Sequence, residues 1–392
     1  MTRPDDFTVP EVEDFDCPHA QFARLRGHCP VAWSNDLGGF WAVTRHADAC
    51  EVLENWKLFT TTVQNVVPPV ATTQRRPPLH LDPPDNIPYR NAILRFLSPS
   101  RLKAWEPRVE QMVARFLDPW IANGGGDICA GFSFQLPIAL LAEFFNLAPD
   151  QAERIRVVGA AFNMALQRQD LPELRARSDE LYGIAEALIA DRIAHPRDPD
   201  TDPTANLLAV RVDGEPLAHD LILGALRQFL LVGIIAPTTF IGSMAVHLAR
   251  HPEHHKDLRD DPSLVSDATE ELLRLYTPYR GFARTARQDT DLGGKTIKAG
   301  EAVAIVFTSA NRDEAVFDDP HEYKLDRPSR DLLTFGRGPH MCPGAPLARL
   351  LLQEVLRQLT AKTRDLTLTG DIEMTRWPEY GPLSVPLKVT PM

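Results

Sequence analysis

From Phe229 to Val246 the chain carries no charged residue, a run long enough for a helix to cross the hydrocarbon core of a bilayer. Yet the run holds Pro237, Thr238, Thr239, Ser243 and two glycines, Gly233 and Gly242, and no other segment is comparable. A helix that is apolar on every side is equally what the middle of a large globular protein demands. Such a helix must be buried whole, in lipid or in protein. With 392 residues, 44% of them hydrophobic and 24% charged, the chain has ample material for a deep core, and the buried-helix reading is preferred. No membrane association is expected. The N-terminal "MTRPDDFTVPEVEDFDCPHA" has neither a basic start nor an apolar stretch, so neither signal peptide nor anchor is expected and the protein is placed in the cytoplasm.

The net charge of -11 is dispersed without a long basic run, which disfavours nucleic acid as a partner. The five cysteines, Cys17, Cys29, Cys50, Cys129 and Cys342, include no Cys-x-x-Cys pair. That spacing argues for a reducing compartment and against a disulfide framework or a cysteine-built zinc site. The 34 prolines fall in short clusters rather than one hinge, so a single domain over residues 1–392 is expected. "GFWAVTRHADACEVLEN" reads as a strand at Phe40 to Val43 followed by a helix, and Val63 to Pro84 as a long proline-rich loop. Helical periodicity dominates from about Tyr89. Beyond Pro278, "TDLGGKTIKAGEAVAIVFTSA" alternates and turns at glycines as hairpins do. The fold class is mainly α with a minor β portion.

Chemistry concentrates in "LLTFGRGPHMCPGAPLARLLLQEVLRQL". Phe335, Gly336, Gly338, His340, Cys342 and Gly344 form F-G-x-G-x-H-x-C-x-G, and a helix follows directly. A cysteine on a loop that feeds a helix N-terminus is stabilised as thiolate by backbone N–H groups and the helix dipole. The glycines let the backbone approach a large flat group. A haem iron held by a thiolate gains electron density that favours O–O cleavage.

On these residues the chain resembles the cytochrome P-450 family, of soluble bacterial type, over nearly its whole length. The resemblance implies the cytochrome P-450 fold, with a long central helix over a haem, and haem b with Cys342 as axial thiolate. It implies a structural set, Glu271 and Arg274 in "EELLRLY" with Arg327 in "HEYKLDRP". Donors to the haem propionates would be Arg90, Arg284 and His340, with Asn86 where many relatives carry histidine; Phe335, Gly336 and Gly344 would complete the cofactor cradle. The oxygen groove falls at Gly233, Ile235, Ala236, Pro237 and Thr238. Most relatives carry an acid and an alcohol where this chain has Ile235 and Ala236, neither of which has a proton to give. Pro237 has no N–H, which leaves the Gly233 carbonyl without its helical partner. The pocket would draw on Val66, Val67, Ile234, Phe282 and Tyr380, with Arg280 either holding a polar end of the substrate or pointing to solvent or a propionate.

The implied activity is monooxygenation, hydroxylation or O-dealkylation, of a small, largely apolar organic molecule by dioxygen. Electrons would come from a separate ferredoxin and its NAD(P)H-dependent reductase, docking on a basic patch of Arg90, Arg337 and Arg349. A peroxide-dependent peroxygenase and a non-catalytic haem sensor are the alternatives. A monomer is expected.

Overall fold

The computed structural model describes residues 4–9, 14–69 and 74–392. Part of the N-terminal segment and the tip of the proline-rich loop, residues 70–73, on which expectations above also rested, lie outside the described residues.

The uncharged run lies within one uninterrupted helix, His219–Arg250, that passes through the centre of the molecule. Its surroundings explain its composition: the helices Gln135–Phe144, Pro149–Arg168 and Leu171–Ala194 pack on one side, and Ala345–Lys362 and the C-terminal strands on the other. Among the described residues it is the one helix long and apolar enough to span a membrane, and most of that apolar window is buried by protein. Pro237 does not break it. The hydroxyls next in sequence bond back to its carbonyls, Thr238 Oγ1 to Ile234 O at 2.8 Å and Thr239 Oγ1 to Ala236 O at 3.2 Å.

The β portion is small and lies to one side. A five-stranded sheet runs in the order Val31–Ser34, Phe40–Val43, Ala302–Ile305, Phe282–Ala286, Phe59–Thr60. Only the Phe40–Val43/Ala302–Ile305 contact is parallel, and it brings Val303 opposite Trp41. The expected glycine hairpin forms between Thr290–Leu292 and Lys295–Ile297. Gly293 (φ 57°) and Gly294 (φ 79°) supply the two left-handed residues that a tight hairpin turn needs. The mainly α architecture with minor sheets agrees with the sequence reading.

A buried ion set ties the helical body to the segment preceding the cysteine loop. Arg274 grips Glu271 through two 2.7 Å bonds, and Arg327 Nε reaches the same carboxylate at 3.1 Å. Arg274 also donates to the carbonyls of Asn311 and Pro320. The helix Val265–Leu275 is thereby fastened to the chain on its way to Cys342.

Candidate functional site

The segment from Phe335 to Gly344 is a folded-back loop closed by its own backbone. Cys342 N donates to Phe335 O at 2.7 Å, and Gly336 N to Leu333 O at 2.7 Å. Gly336 (φ 72°) and Gly338 (φ 68°) take left-handed conformations, and a Cβ on Gly338 would lie 2.9 Å from Leu53 O. Gly344 is the N-cap of Ala345–Lys362, so the sulfur faces the start of that helix. Burial pushes the Cys342 thiol above its ordinary value. The amides of Gly344 and Ala345 and the guanidinium groups of Arg90 and Arg349 pull in the other direction, each favouring thiolate. Arg349 stacks 4.5 Å from the Phe335 ring, which fixes the loop from outside.

Arg284 is buried, and desolvation brings it down to about 10. Arg90 reaches the Met341 carbonyl. Asn86 is 1% exposed, and among the described residues neither polar atom of its carboxamide has a partner. A buried amide with both ends unsatisfied is costly unless something else fills the site. A propionate would accept from Asn86 Nδ2 and be neutralised by the two guanidinium groups, so these residues fit a haem. His340 departs from the simple picture. Its Nε2 lies 3.2 Å from Asp82 Oδ1, and Asp82 is held well below the usual carboxylate range by His340, Thr60, Thr61 and Arg287 despite the opposing effect of burial. With Nε2–H committed to Asp82, only a protonated ring offers a second N–H.

The long helix keeps its residual exposure at most of the positions expected to form the groove, but not at Ile235. Ile234 and Ile235 are buried, and Ile234 packs toward Gly159 on the neighbouring helix. Residual exposure falls instead on Val232, at 38%, and on Gly233, Ala236, Pro237 and Thr238. Ile235, expected in the groove, is buried, and Val232, one turn before Ala236, is exposed. Thr238 also reaches Ser133 O at 3.3 Å, so both threonine hydroxyls are engaged with backbone carbonyls. Among the described residues neither hydroxyl bonds to Gly233 O.

Three residues expected in the pocket are buried. Val67 packs with Phe40, Ala283 and Trp377 in the sheet-side core, and its carbonyl accepts from Trp377 Nε1 at 2.8 Å. Tyr380 is fully buried, donating to Phe15 O at 2.6 Å and meeting His19 Nε2 at 2.8 Å. Arg280, also fully buried, donates to Glu379 O at 2.8 Å and lies over the Trp377 and Tyr380 rings. It ties the strand to the C-terminal turn and is shielded from solvent. Val66 and Phe282 do come together, in an isolated β-bridge. The basic patch is weakened: Arg337 pairs with Glu54 and Arg349 with Glu270. The buried arginines that sequence reasoning passed over include Arg76 and Arg227. The signal for Arg227 was present, since it is the lone cation in an apolar stretch, "GALRQFLL".

A sequence profile described as Cytochrome P450 matches residues 238–363, which include the cysteine loop. The chain is 31% identical over 390 residues to linalool 8-monooxygenase of Pseudomonas putida, covering 94% of each chain. It is 30% identical over 357 residues to erythromycin C-12 hydroxylase of Saccharopolyspora erythraea, covering 90% of this chain and 88% of that one. Among solved structures, a Mycobacterium marinum cytochrome P450 in complex with pseudoionone superposes with TM-score 0.87 at 26% identity, over 99% of both chains.

Proposed function

Because the chain belongs to the cytochrome P450 family, whose members are oxidoreductases that bind haem through an axial cysteine thiolate, we propose that it hydroxylates or O-dealkylates a small, largely apolar molecule with dioxygen. Its electrons then come from a separate ferredoxin and NAD(P)H-dependent reductase. The bacterial relatives support a cytoplasmic setting.

The observation that carries this reading is the Cys342 loop, with its sulfur facing two helix-terminal amides and two guanidinium groups. The bound haem supplies the oxidising chemistry. The chain's own residues do the rest. Cys342 is the iron ligand; Arg90, Arg284 and Asn86 hold the propionate edge. Val232, Ala236 and Pro237 give the distal side an apolar lining that excludes water from the oxidised carbon. Proton delivery is where this chain departs from most relatives. Ala236 offers no acid or alcohol, and the Thr238 and Thr239 hydroxyls already donate to carbonyls. Pro237 frees the Gly233 carbonyl as an acceptor, so an ordered water there is the donor that replaces a side chain.

The same observation favours peroxide use as the second reading, since peroxide brings its own protons. The two are separated by comparing product formation with NADH, ferredoxin and reductase against hydrogen peroxide alone. The first reading expects coupled turnover with the reductase system. Turnover with peroxide and none with the reductase system establishes the second.

A further inference from the structure

Among the described residues, two cations on the distal side have no counter-charge. Arg76, on the proline-rich loop, is 5% exposed, and Arg227, on the long helix, is fully buried. Arg76 donates to Gln228 Oε1 at 3.3 Å and Asn65 Oδ1 at 3.2 Å, and lies 3.1 Å from His80 Nε2. His80 is itself kept neutral, brought down to about 3 by burial and by Arg76. Arg227 donates to Ser178 Oγ at 3.0 Å and lies over the rings of Phe162 and Tyr182, 5.1 and 5.7 Å from their centroids. Every one of these partners is uncharged.

Among the described residues the Nε of each arginine has no partner. Neither arginine makes an ion pair among the described residues, and residues 70–73, Val-Ala-Thr-Thr, contain no acid. Arg192 and Arg274, equally buried, sit on Asp202 and Glu271. Burying one unpaired cation is costly, and Arg76 and Arg227 also repel each other. The fold has nonetheless made room for them. A Cβ at Gly224 would lie 1.9 Å from Arg75 O, so only glycine there lets the loop seat Arg76 against the helix.

Position supplies the rest. Gln228, which holds Arg76, recurs with Val232 and Ala236 at four-residue spacing, one stripe of the helix. Val232 and Ala236 are on the face that keeps residual exposure. From Gln228 to Ala236 the helix rises about 12 Å.

We propose that Arg76 and Arg227 form a subsite for the carboxylate of an apolar organic acid, whose body runs along Val232 toward Ala236 and Pro237. The inference rests on the monooxygenase reading above and narrows its substrate from apolar molecules to apolar carboxylic acids. A carboxylate supplies both the charge and the acceptors that the two Nε groups lack, and such charge-assisted bonds are the strong ones. The 12 Å rise places the oxidised carbon well along a chain or beyond a ring, away from the carboxyl carbon.

The test uses the haem-loaded protein and matched ligands. Hexanoate through dodecanoate and the phenylalkanoates are each compared with their methyl esters and primary amides, by the haem spin-state shift and by thermal shift. At least one acid is expected to bind about tenfold or more tighter than its ester and amide. In Arg76→Gln and Arg227→Gln that preference disappears, while haem content and the reduced carbonyl spectrum stay unchanged. Acids binding no better than esters, a preference that survives both substitutions, or no acid of the panel binding in either assay overturns the subsite. So does loss of haem in Arg76→Gln, which would assign the guanidinium to a propionate. Failure of the monooxygenase reading is seen separately, as a wild-type protein without the thiolate-ligated carbonyl band.

Discussion

Glu379 shows how a single buried residue sets a pH dependence. It is 2% exposed, and burial pushes its carboxyl up to about 7, against the opposing pull of Gln167 and Arg280. The folded protein therefore holds this proton more tightly than the unfolded chain does. The resulting stability is complete below about pH 4.5 and is lost as pH rises toward 7. The shift corresponds to about 3 kcal/mol. Chemical denaturation of Glu379→Gln across that window should show a shallower fall of stability with pH than the parent protein. At Glu271, removal of the carboxylate leaves Arg274 and Arg327 without the charge they share. Glu271→Ala should cost about 3–5 kcal/mol in urea unfolding and reduce the fraction of protein recovered with haem.

The long helix joins distal chemistry to a histidine-lined elbow. At its C-terminal end His247 meets Tyr276 OH at 2.9 Å and His254 Nδ1 at 3.0 Å. Burial, followed by His251 and His254, brings His247 down to about 2. Its neutral ring favours the folded state above about pH 6.5, and that contribution is lost as pH falls below it. His247→Phe should flatten the acid limb of the unfolding curve. Nearer the middle, Pro237→Thr returns an N–H to the Gly233 carbonyl and adds a hydroxyl. It should stabilise the helix by about 1–3 kcal/mol and raise product formed per NADH consumed. This helix also marks how far the sequence could be read. Its burial and its proline were plain from composition, because an uncharged run of that length has few places to go. Which stripe faces the open side was not: Ile235 and Ala236 are adjacent in sequence but point about 100° apart on a helix. The proposed carboxylate subsite was beyond reach for a related reason, since Arg76 reaches Gln228, the neighbour of Arg227, only after a loop has folded onto Gly224.

Across the whole molecule, contiguity decided what was legible. The Cys342 loop is one run of ten residues whose chemistry is carried by its own backbone, so its function could be read directly. The surroundings of Val67, Arg280 and Tyr380 were not legible, because burial in the sheet-side and C-terminal packing, rather than residue type, determines where they point. Charge at this scale bears on partners. The chain has a net charge of -11, and Glu54 and Glu270 pair with two arginines near the cysteine loop. The double substitution Glu54→Gln and Glu270→Gln frees both cations. It should accelerate reduction by an acidic ferredoxin severalfold at low salt, with the gain fading as ionic strength rises. The central claim, that this fold presents Cys342 as a thiolate to a haem iron, is tested most directly by the carbon monoxide difference spectrum of the reduced protein. The account predicts the thiolate-ligated Soret band in the parent protein and its loss in Cys342→His with haem still bound. An unchanged thiolate band in Cys342→His, or a parent protein that binds haem yet never gives that band, would contradict it.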